Sequence, residues 1–201
     1  KGGSSYNGIG LRDVTTGDYI NIIGTEYINR KQTLRFNLAG ANGTHSDVFC
    51  VSRFMSKDLL VGDDKGLLSF GIDLMELKNR RSSSIFYAQI YTDDSGEPWQ
   101  LMLDNQEVQR DPKYYSGMVA KSRDQYYTIV PVTKVLSNKG KVMDMPFGAM
   151  GLEIRDRSGV PVAAVNLADK GHVYFAKGLD KHEKFLLANI CTALLLQEQI
   201  G

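Results

Sequence analysis

The sequence has few of the residues from which disulfide frameworks and metal sites are built. Its 201 residues include two cysteines, Cys50 and Cys191, and three histidines, His45, His172 and His182. Two cysteines are too few for the framework of a small secreted domain. None of the histidines is spaced from a cysteine or a carboxylate in the way that metal ligands are. We therefore predict no disulfide framework, no metal and no cofactor.

An excess of charge and long apolar runs are also missing. The net charge is +1, so no strong field attracts the protein to nucleic acid or to an anionic membrane. No apolar segment reaches the roughly 20 residues that span a bilayer, and there is no signal peptide. Together with the cysteine count, these features predict an intracellular protein, cytoplasmic or cytoskeletal. The chain begins at Lys1 rather than at a methionine, which indicates a fragment or a processed product.

The motifs of common enzyme classes are absent from the sequence as well. It contains no Gly-rich phosphate loop, no nucleophile elbow and no paired serine and lysine of the kind used in acyl transfer. Its Asp-rich turns lack the twelve-residue loop and terminal glutamate of an EF-hand. Apolar residues make up 42% and charged residues 23% of the chain, as in an ordinary soluble domain. The sequence therefore predicts a protein that is not an enzyme.

The dominant feature that is present is a long apolar helix near the C-terminus. Asp180 has the character of an N-cap, with Glu183 three residues later at the reciprocal capping position. Between residues 185 and 196 only Asn189 and Thr192 are polar. A helix that is apolar on nearly its whole circumference is buried. We therefore predict that this helix forms the core and that the strands pack on it.

The rest of the chain reads mainly as strands joined by turns. Three pairs of apolar alternating segments flank turns that contain aspartate and glycine, at 6–27, 84–103 and 149–167. Aspartate bonds backbone N–H groups in such turns and glycine accepts positive φ, so each pair predicts a hairpin. Short helices are predicted to begin at Asp73 and Asp111. The predicted class is α+β: a central antiparallel sheet with a long buried C-terminal helix.

One segment of mixed character precedes the last hairpin. Residues 137–145 are polar and basic and predict an irregular surface loop. Met143, Met145 and Phe147 add an adaptable apolar cluster to its end. Long loops without internal structure are usually functional or disordered, and disordered segments contain few apolar residues. We therefore predict that these three side chains dock on a partner protein; the alternative is that they cap the protein's own core.

The residues that lead into the last helix resemble the end of a GAF domain. Such domains end in a strand and an Asn-Lys–Phe–Asp-Glu run before the final helix. Here Asn166, Lys170, Phe175, Asp180 and Glu183 stand in comparable places. The resemblance implies that Asn166, Lys170, Phe175 and Asp180 are either positions of a ligand motif or partners in structural salt bridges.

Two further segments extend the resemblance. Residues 8–25 are similar to the opening strands of a GAF sheet, and residues 83–104 resemble its late hairpin. The chain therefore either carries that hairpin twice or holds an insertion near 104–148 within a single GAF-like domain over 1–201. The resemblance implies a sheet with helices on one face and a pocket on the other.

GAF domains bind cyclic nucleotides, bilins or other small molecules, or they mediate assembly. Neither Cys50 nor Cys191 corresponds to the cysteine that attaches a bilin. We expect a non-enzymatic protein–protein interaction or structural module, a subunit of a larger assembly, with a cytoskeletal or ciliary setting as one option. Its partners would be other protein subunits, and we expect neither nucleic acid nor a small molecule. The alternative is a GAF domain that senses a small molecule.

A second resemblance competes with the first. In tubby-like barrels about a dozen strands wrap an apolar C-terminal helix, and the apolar helix and repeated hairpins of this chain are similar to that arrangement. It would imply a module that binds phosphoinositides, a membrane surface or another protein. The lack of a basic patch in the sequence speaks against lipid binding.

Overall fold

The computed structural model describes residues 10–12, 19–28, 33–41, 43–54, 85–92, 96–104, 117–136, 140–144, 150–167 and 171–197. In these ranges the chain forms thirteen strands and one helix, with the bounds β1 Gly10–Arg12, β2 Tyr19–Ile28, β3 Thr33–Ala39, β4 His45–Phe54, β5 Ile85–Thr92, β6 Trp99–Asp104, β7 Gly117–Ala120, β8 Tyr126–Val132, β9 Lys134–Leu136, β10 Val142–Asp144, β11 Gly151–Arg155, β12 Pro161–Asn166, β13 His172–Phe175 and α1 Lys181–Leu196. The short helices predicted from Asp73 and Asp111 lie outside the described residues.

Eleven of the strands form one antiparallel sheet in which nearly every strand pairs with the next one along the chain. The order is β1-β2-β3-β4-β5-β6-β7-β8-β11-β12-β13. Strands β9 and β10 pair only with each other, so the chain leaves the sheet after β8 and returns to it at β11. Sequential antiparallel strands need only short connections, which agrees with the hairpin signals in the sequence. The prediction of an antiparallel sheet with a C-terminal helix is confirmed.

The prediction of an irregular surface loop over 137–145 is wrong for residues 142–144, which form strand β10, whereas the described side chains from 140 to 143 are exposed. Strand β10 pairs with β9, with Met143 opposite Val135. A two-stranded ribbon outside the main sheet buries little surface, so its residues need not be apolar to pair. Strands β7 and β8, which also fall within 104–148, belong to the main sheet. An insertion in that region stays a prediction.

One face of the sheet is lined by a continuous set of apolar side chains. Because side chains alternate across a strand, every second residue points inward, and cross-strand register aligns these residues from one strand to the next. The inward residues of the described strands include Leu34, Phe36, Leu38, Val48, Cys50, Phe86, Ala88, Ile90, Leu101, Leu103, Val119, Ile129, Leu152, Ile154, Ala163, Val165, Val173 and Phe175, all of them buried. Each fully buried large side chain contributes about 1.5–3 kcal/mol to folding.

Helix α1 fills the space that this face surrounds. The Asp180 side chain caps it by accepting a hydrogen bond from the Glu183 backbone N–H at 2.8 Å. From Phe185 to Leu194 every residue is buried, including the polar Asn189 and Thr192. The prediction of a buried core helix is confirmed. None of the described helical residues makes a segment long and apolar enough to cross a membrane.

The sheet curls around the helix rather than lying flat beneath it. Helix α1 packs against β4 and β5 and also against β12, which is far from them in the strand order. The backbones of β1 and β13, at opposite ends of the order, approach to within 8 Å between Cα atoms. Right-handed twist accumulates over many strands and curls large sheets in this way. Both faces of the helix are therefore covered by the same sheet.

One glycine is required where the chain passes from β12 to β13. Gly171 has φ of +74°, a region that side chains with a Cβ atom rarely adopt. A Cβ atom at this position would also lie 2.8 Å from Leu195 Cδ2. Another residue at position 171 would therefore be strained by its φ and would displace the Leu195 side chain.

Candidate functional site

The interior of the curled sheet is filled by the protein's own helix. Its main polar feature is a buried pair in which the Ser46 hydroxyl donates to Asn189 Oδ1 at 2.6 Å. The Asn189 Nδ2 group donates to the Phe185 carbonyl oxygen at 2.8 Å. A buried amide needs such partners, because an unpaired one costs about 1–3 kcal/mol. We read this pair as structural, because it joins β4 to α1.

The two cysteines are part of this interior and are not nucleophiles. Cys50 is 1% and Cys191 is 0% exposed, and both are free thiols. Burial raises the pKa of Cys50 to about 12 and raises the pKa of Cys191 further above its ordinary value. The thiolate is the reactive form, so neither side chain can act as a nucleophile at neutral pH.

The outside of the sheet carries a group of aromatic and charged side chains that sequence analysis did not single out. We call it the outer-face patch, and it consists of Arg35 on β3, Asp47 and Phe49 on β4, and Gln89 and Tyr91 on β5. Cross-strand register brings these residues together: Arg35 lies opposite Phe49, Phe49 opposite Gln89, and Asp47 opposite Tyr91. They surround a shallow depression of about 450 Å³.

Several contacts hold the outer-face patch in one arrangement. The guanidinium carbon of Arg35 lies 4.7 Å from the centre of the Phe49 ring, and Arg35 Nη2 is 3.2 Å from Asp47 Oδ1. Asn37 Nδ2 also donates to this carboxylate oxygen. The Phe49 and Tyr91 rings meet edge to face, with centroids 6.0 Å apart. Cation–π and edge-to-face contacts of this kind are worth about 0.5–1.5 kcal/mol each.

Despite these contacts, part of the aromatic surface remains exposed to solvent. Phe49 remains 38% exposed, although an outward position on a sheet is usually polar. The Arg35–Asp47 ion pair is about half exposed on both sides, and such pairs contribute about 0–1 kcal/mol. The ion pair therefore adds little to stability, and the phenylalanine ring that it adjoins stays partly accessible. Arginine and tyrosine are enriched where proteins bind one another.

The described residues of the GAF resemblance lie on β12, on β13 and at the start of α1. Asn166 ends β12 opposite His172. The Phe175 side chain is buried, and the ammonium of Lys184 lies 5.7 Å from its ring centre. Asp180 is the N-cap of α1. Lys170 lies outside the described residues. Asp180 and Glu183 both line a depression at the start of α1.

The predicted partner surface is described in part. Met143 is 50% exposed and its neighbour Val142 is 65% exposed, both on β10. Met145 and Phe147 lie outside the described residues. Docking of this segment on a partner stays a prediction, and the exposure of Met143 is compatible with it.

Comparisons with known proteins identified no relative of this chain. A scan against models of protein families, a search of curated proteins and a search of solved structures all found no match. Within the described ranges, no three His, Cys, Asp or Glu side chains are grouped so that they could hold a metal ion.

Proposed function

We propose that this protein is a non-enzymatic protein–protein interaction module, a subunit of a larger assembly that binds its partner through the outer-face patch. The observation that carries the proposal is the exposed Phe49, flanked by Arg35 and Tyr91 in a shallow depression on the outside of the sheet. A cytoskeletal or ciliary assembly is one setting in which such a module would serve.

The arrangement suits a protein partner because its aromatic groups are already ordered. Rings fixed by Arg35 and by each other lose little side-chain entropy when a partner covers them, and ordering a free side chain costs about 0.5–1.5 kcal/mol. Asp47 and Gln89 supply polar groups at the margin of the depression, as at the rim of protein interfaces. The interior, by contrast, is occupied by α1, which argues against a ligand bound inside the sheet.

Affinity capture with a matched pair of variants tests the proposal. Phe49→Ser removes the centre of the outer-face patch, and Tyr174→Ser removes an aromatic ring of similar exposure, 41% against 38%, on the distant strand β13. Phe49→Ser also loses the contacts of the ring with Arg35 and Tyr91, worth about 0.5–1.5 kcal/mol each, so capture is measured well below the melting temperature of each variant. Partners captured from the native cell extract should be lost with Phe49→Ser and retained with Tyr174→Ser. The same partners on all three proteins would contradict the proposal.

Two other functions remain as alternatives with their own tests. A small-molecule sensor of the GAF type should be stabilised by its ligand, by about 2.7 kcal/mol at a hundredfold excess over the dissociation constant. We expect no shift in melting temperature with cyclic nucleotides or bilins, and a reproducible shift would support the sensor instead.

The second alternative follows from the tubby-like resemblance, and the enclosure of α1 by the curled sheet supports that arrangement over an open GAF sheet. Binding to phosphoinositides would need a cluster of cationic side chains. In the outer-face patch the one arginine already pairs with Asp47. We expect no binding to vesicles that contain phosphatidylinositol bisphosphate. Binding that is lost with Arg35→Gln would favour the membrane-surface module.

A further inference from the structure

A second depression lies at the N-terminal end of α1, at one end of the curled sheet. We call it the helix-end cleft. It is formed by the start of α1 together with residues before β4, at the end of β5, at the start of β6 and in the turn between β7 and β8. Its volume is about 370 Å³, within the range of small-molecule sites, and it is lined by Thr44, Thr92, Trp99, Lys121, Gln125, Tyr127, Asp180, His182, Glu183, Phe185 and Leu186.

Aromatic side chains form much of the helix-end cleft. The rings of Trp99 and Tyr127 have centroids 5.7 Å apart and are tilted by 41° to each other. Phe185 and Leu186 from the first turns of α1 also line the cleft and are buried, at 8% and 6% exposure. Trp99 and Tyr127 are half-buried and pack against the core. The lining of the cleft therefore includes aromatic side chains that pack against the core.

Carboxylates outnumber cationic side chains at the same place. Glu183 Oε1 accepts a hydrogen bond from the Tyr127 hydroxyl at 3.2 Å, and Asp180 stands beside it as the helix cap. Lys121 opposes them with one positive charge, and His182 also lies on the rim. Burial raises the pKa of Tyr127, and the charges of Glu183, Asp180 and Asp156 raise it further. The charges that act on the tyrosine hydroxyl are thus mainly negative.

We infer that the helix-end cleft binds an alkylammonium group, held against the Trp99 and Tyr127 side chains that line the cleft and next to the Glu183 carboxylate. A cation over an aromatic face gains about 0.5–2 kcal/mol, and indole is the best of the natural rings. The carboxylate adds a direct opposite charge in a partly desolvated site. The group could be free, as in choline, or carried on a trimethylated lysine of a peptide. The inference is independent of the proposed function, because the helix-end cleft and the outer-face patch share no residue.

The fluorescence of the single tryptophan gives a direct test. Trp99 is the only tryptophan in the chain, so its emission reports on this cleft alone. We expect a saturable change on titration with choline or with a short peptide that contains trimethyllysine. The neutral analogue 3,3-dimethyl-1-butanol has the same shape without the charge and should bind at least about tenfold more weakly. A comparison of the choline and peptide dissociation constants then identifies which source of the group the cleft prefers.

Charge variants separate this site from non-specific binding. Glu183→Gln keeps the size of the side chain and its place in the first turn, and it should weaken choline binding about tenfold. Lys121→Gln removes the opposing charge and should leave binding unchanged or tighter. The control is Glu153→Gln on β11, which removes a carboxylate that pairs with Arg155 away from the cleft. Equal affinity for choline and its neutral analogue, equal affinity in Glu183→Gln and wild type, or no saturable change up to about 10 mM choline would each overturn the inference.

Discussion

The hydrogen bond between Ser46 and Asn189 offers the sharpest test of how the helix is held. Asn189 is fully buried in a helix whose other inward residues are almost all apolar, and its carbonyl oxygen accepts from the Ser46 hydroxyl at 2.6 Å. Ser46→Ala removes the donor and leaves a buried amide oxygen unpaired. The expected loss is about 1–3 kcal/mol of unfolding free energy, which corresponds to several degrees of melting temperature in a protein of this size.

The reciprocal change completes a double-mutant cycle. Asn189→Leu replaces the amide by an apolar group with the same branching and leaves the Ser46 hydroxyl unpaired, with a similar expected loss. When both partners become apolar, no buried polar group is left over, so the double variant should be more stable than the sum of the single losses predicts. We expect a coupling energy of about 1 kcal/mol or more, measured by urea denaturation of the four proteins.

Thr192 provides a matched control for this cycle. Its hydroxyl is also buried, but it donates to the Ala188 carbonyl oxygen in its own helix at 2.7 Å. Thr192→Val should therefore show no coupling to Ser46→Ala. Losses for Ser46→Ala and Asn189→Leu that add to within about 0.3–0.5 kcal/mol would refute the contact between β4 and α1.

Four further predictions concern the core, the titrating groups and the hairpin. Leu194→Asp should prevent folding at ordinary temperature, because a buried unpaired carboxylate costs several kcal/mol; a melting temperature close to that of the parent would exclude a buried helix. Stability should fall as the pH rises above 10, the ordinary pKa of tyrosine, because the folded state keeps the Tyr127 proton that the unfolded state releases; Tyr127→Phe should lessen this alkaline loss, and an identical pH profile would contradict it. Cys50 and Cys191 should resist thiol reagents in the folded protein, and rapid labelling of either at neutral pH would show that it is accessible. Met143→Ser should leave the melting temperature unchanged while it weakens partner capture if β10 belongs to the interface, whereas a large loss of stability would mean that this side chain covers the core.

The C-terminal helix could be predicted from the sequence because all the information that specifies it is local. Asp180 and Glu183 mark its start, and the apolar residues from Phe185 onward cover too much of the circumference for an exposed helix. The structure places the helix at Lys181–Leu196 with Asp180 as its cap. Antiparallel pairing was also predictable for three pairs of adjacent strands, because the sequence between them contains aspartate and glycine.

The outer-face patch could not be predicted in the same way because β4 does not alternate cleanly. Ser46 and Ser52 point inward while Phe49 points outward. Hydrophobicity alone therefore does not tell which residues of this strand face the core. The reason for an inward serine is its bond to Asn189, 143 residues away in the chain. Such a partner becomes visible only when the helix is placed inside the sheet. The curvature of the sheet is likewise a property of all its strands together and has no local signature.

Amide hydrogen exchange along α1 tests most directly the central claim that the sheet encloses the helix. If both faces of the helix are covered by the sheet, amides from 187 to 194 can exchange only when the whole domain opens. Their exchange free energies should then equal the free energy of global unfolding and match those of β5. Exchange of these amides at a clearly lower free energy, while β5 stays protected, would mean that the helix can leave the sheet and would contradict the account.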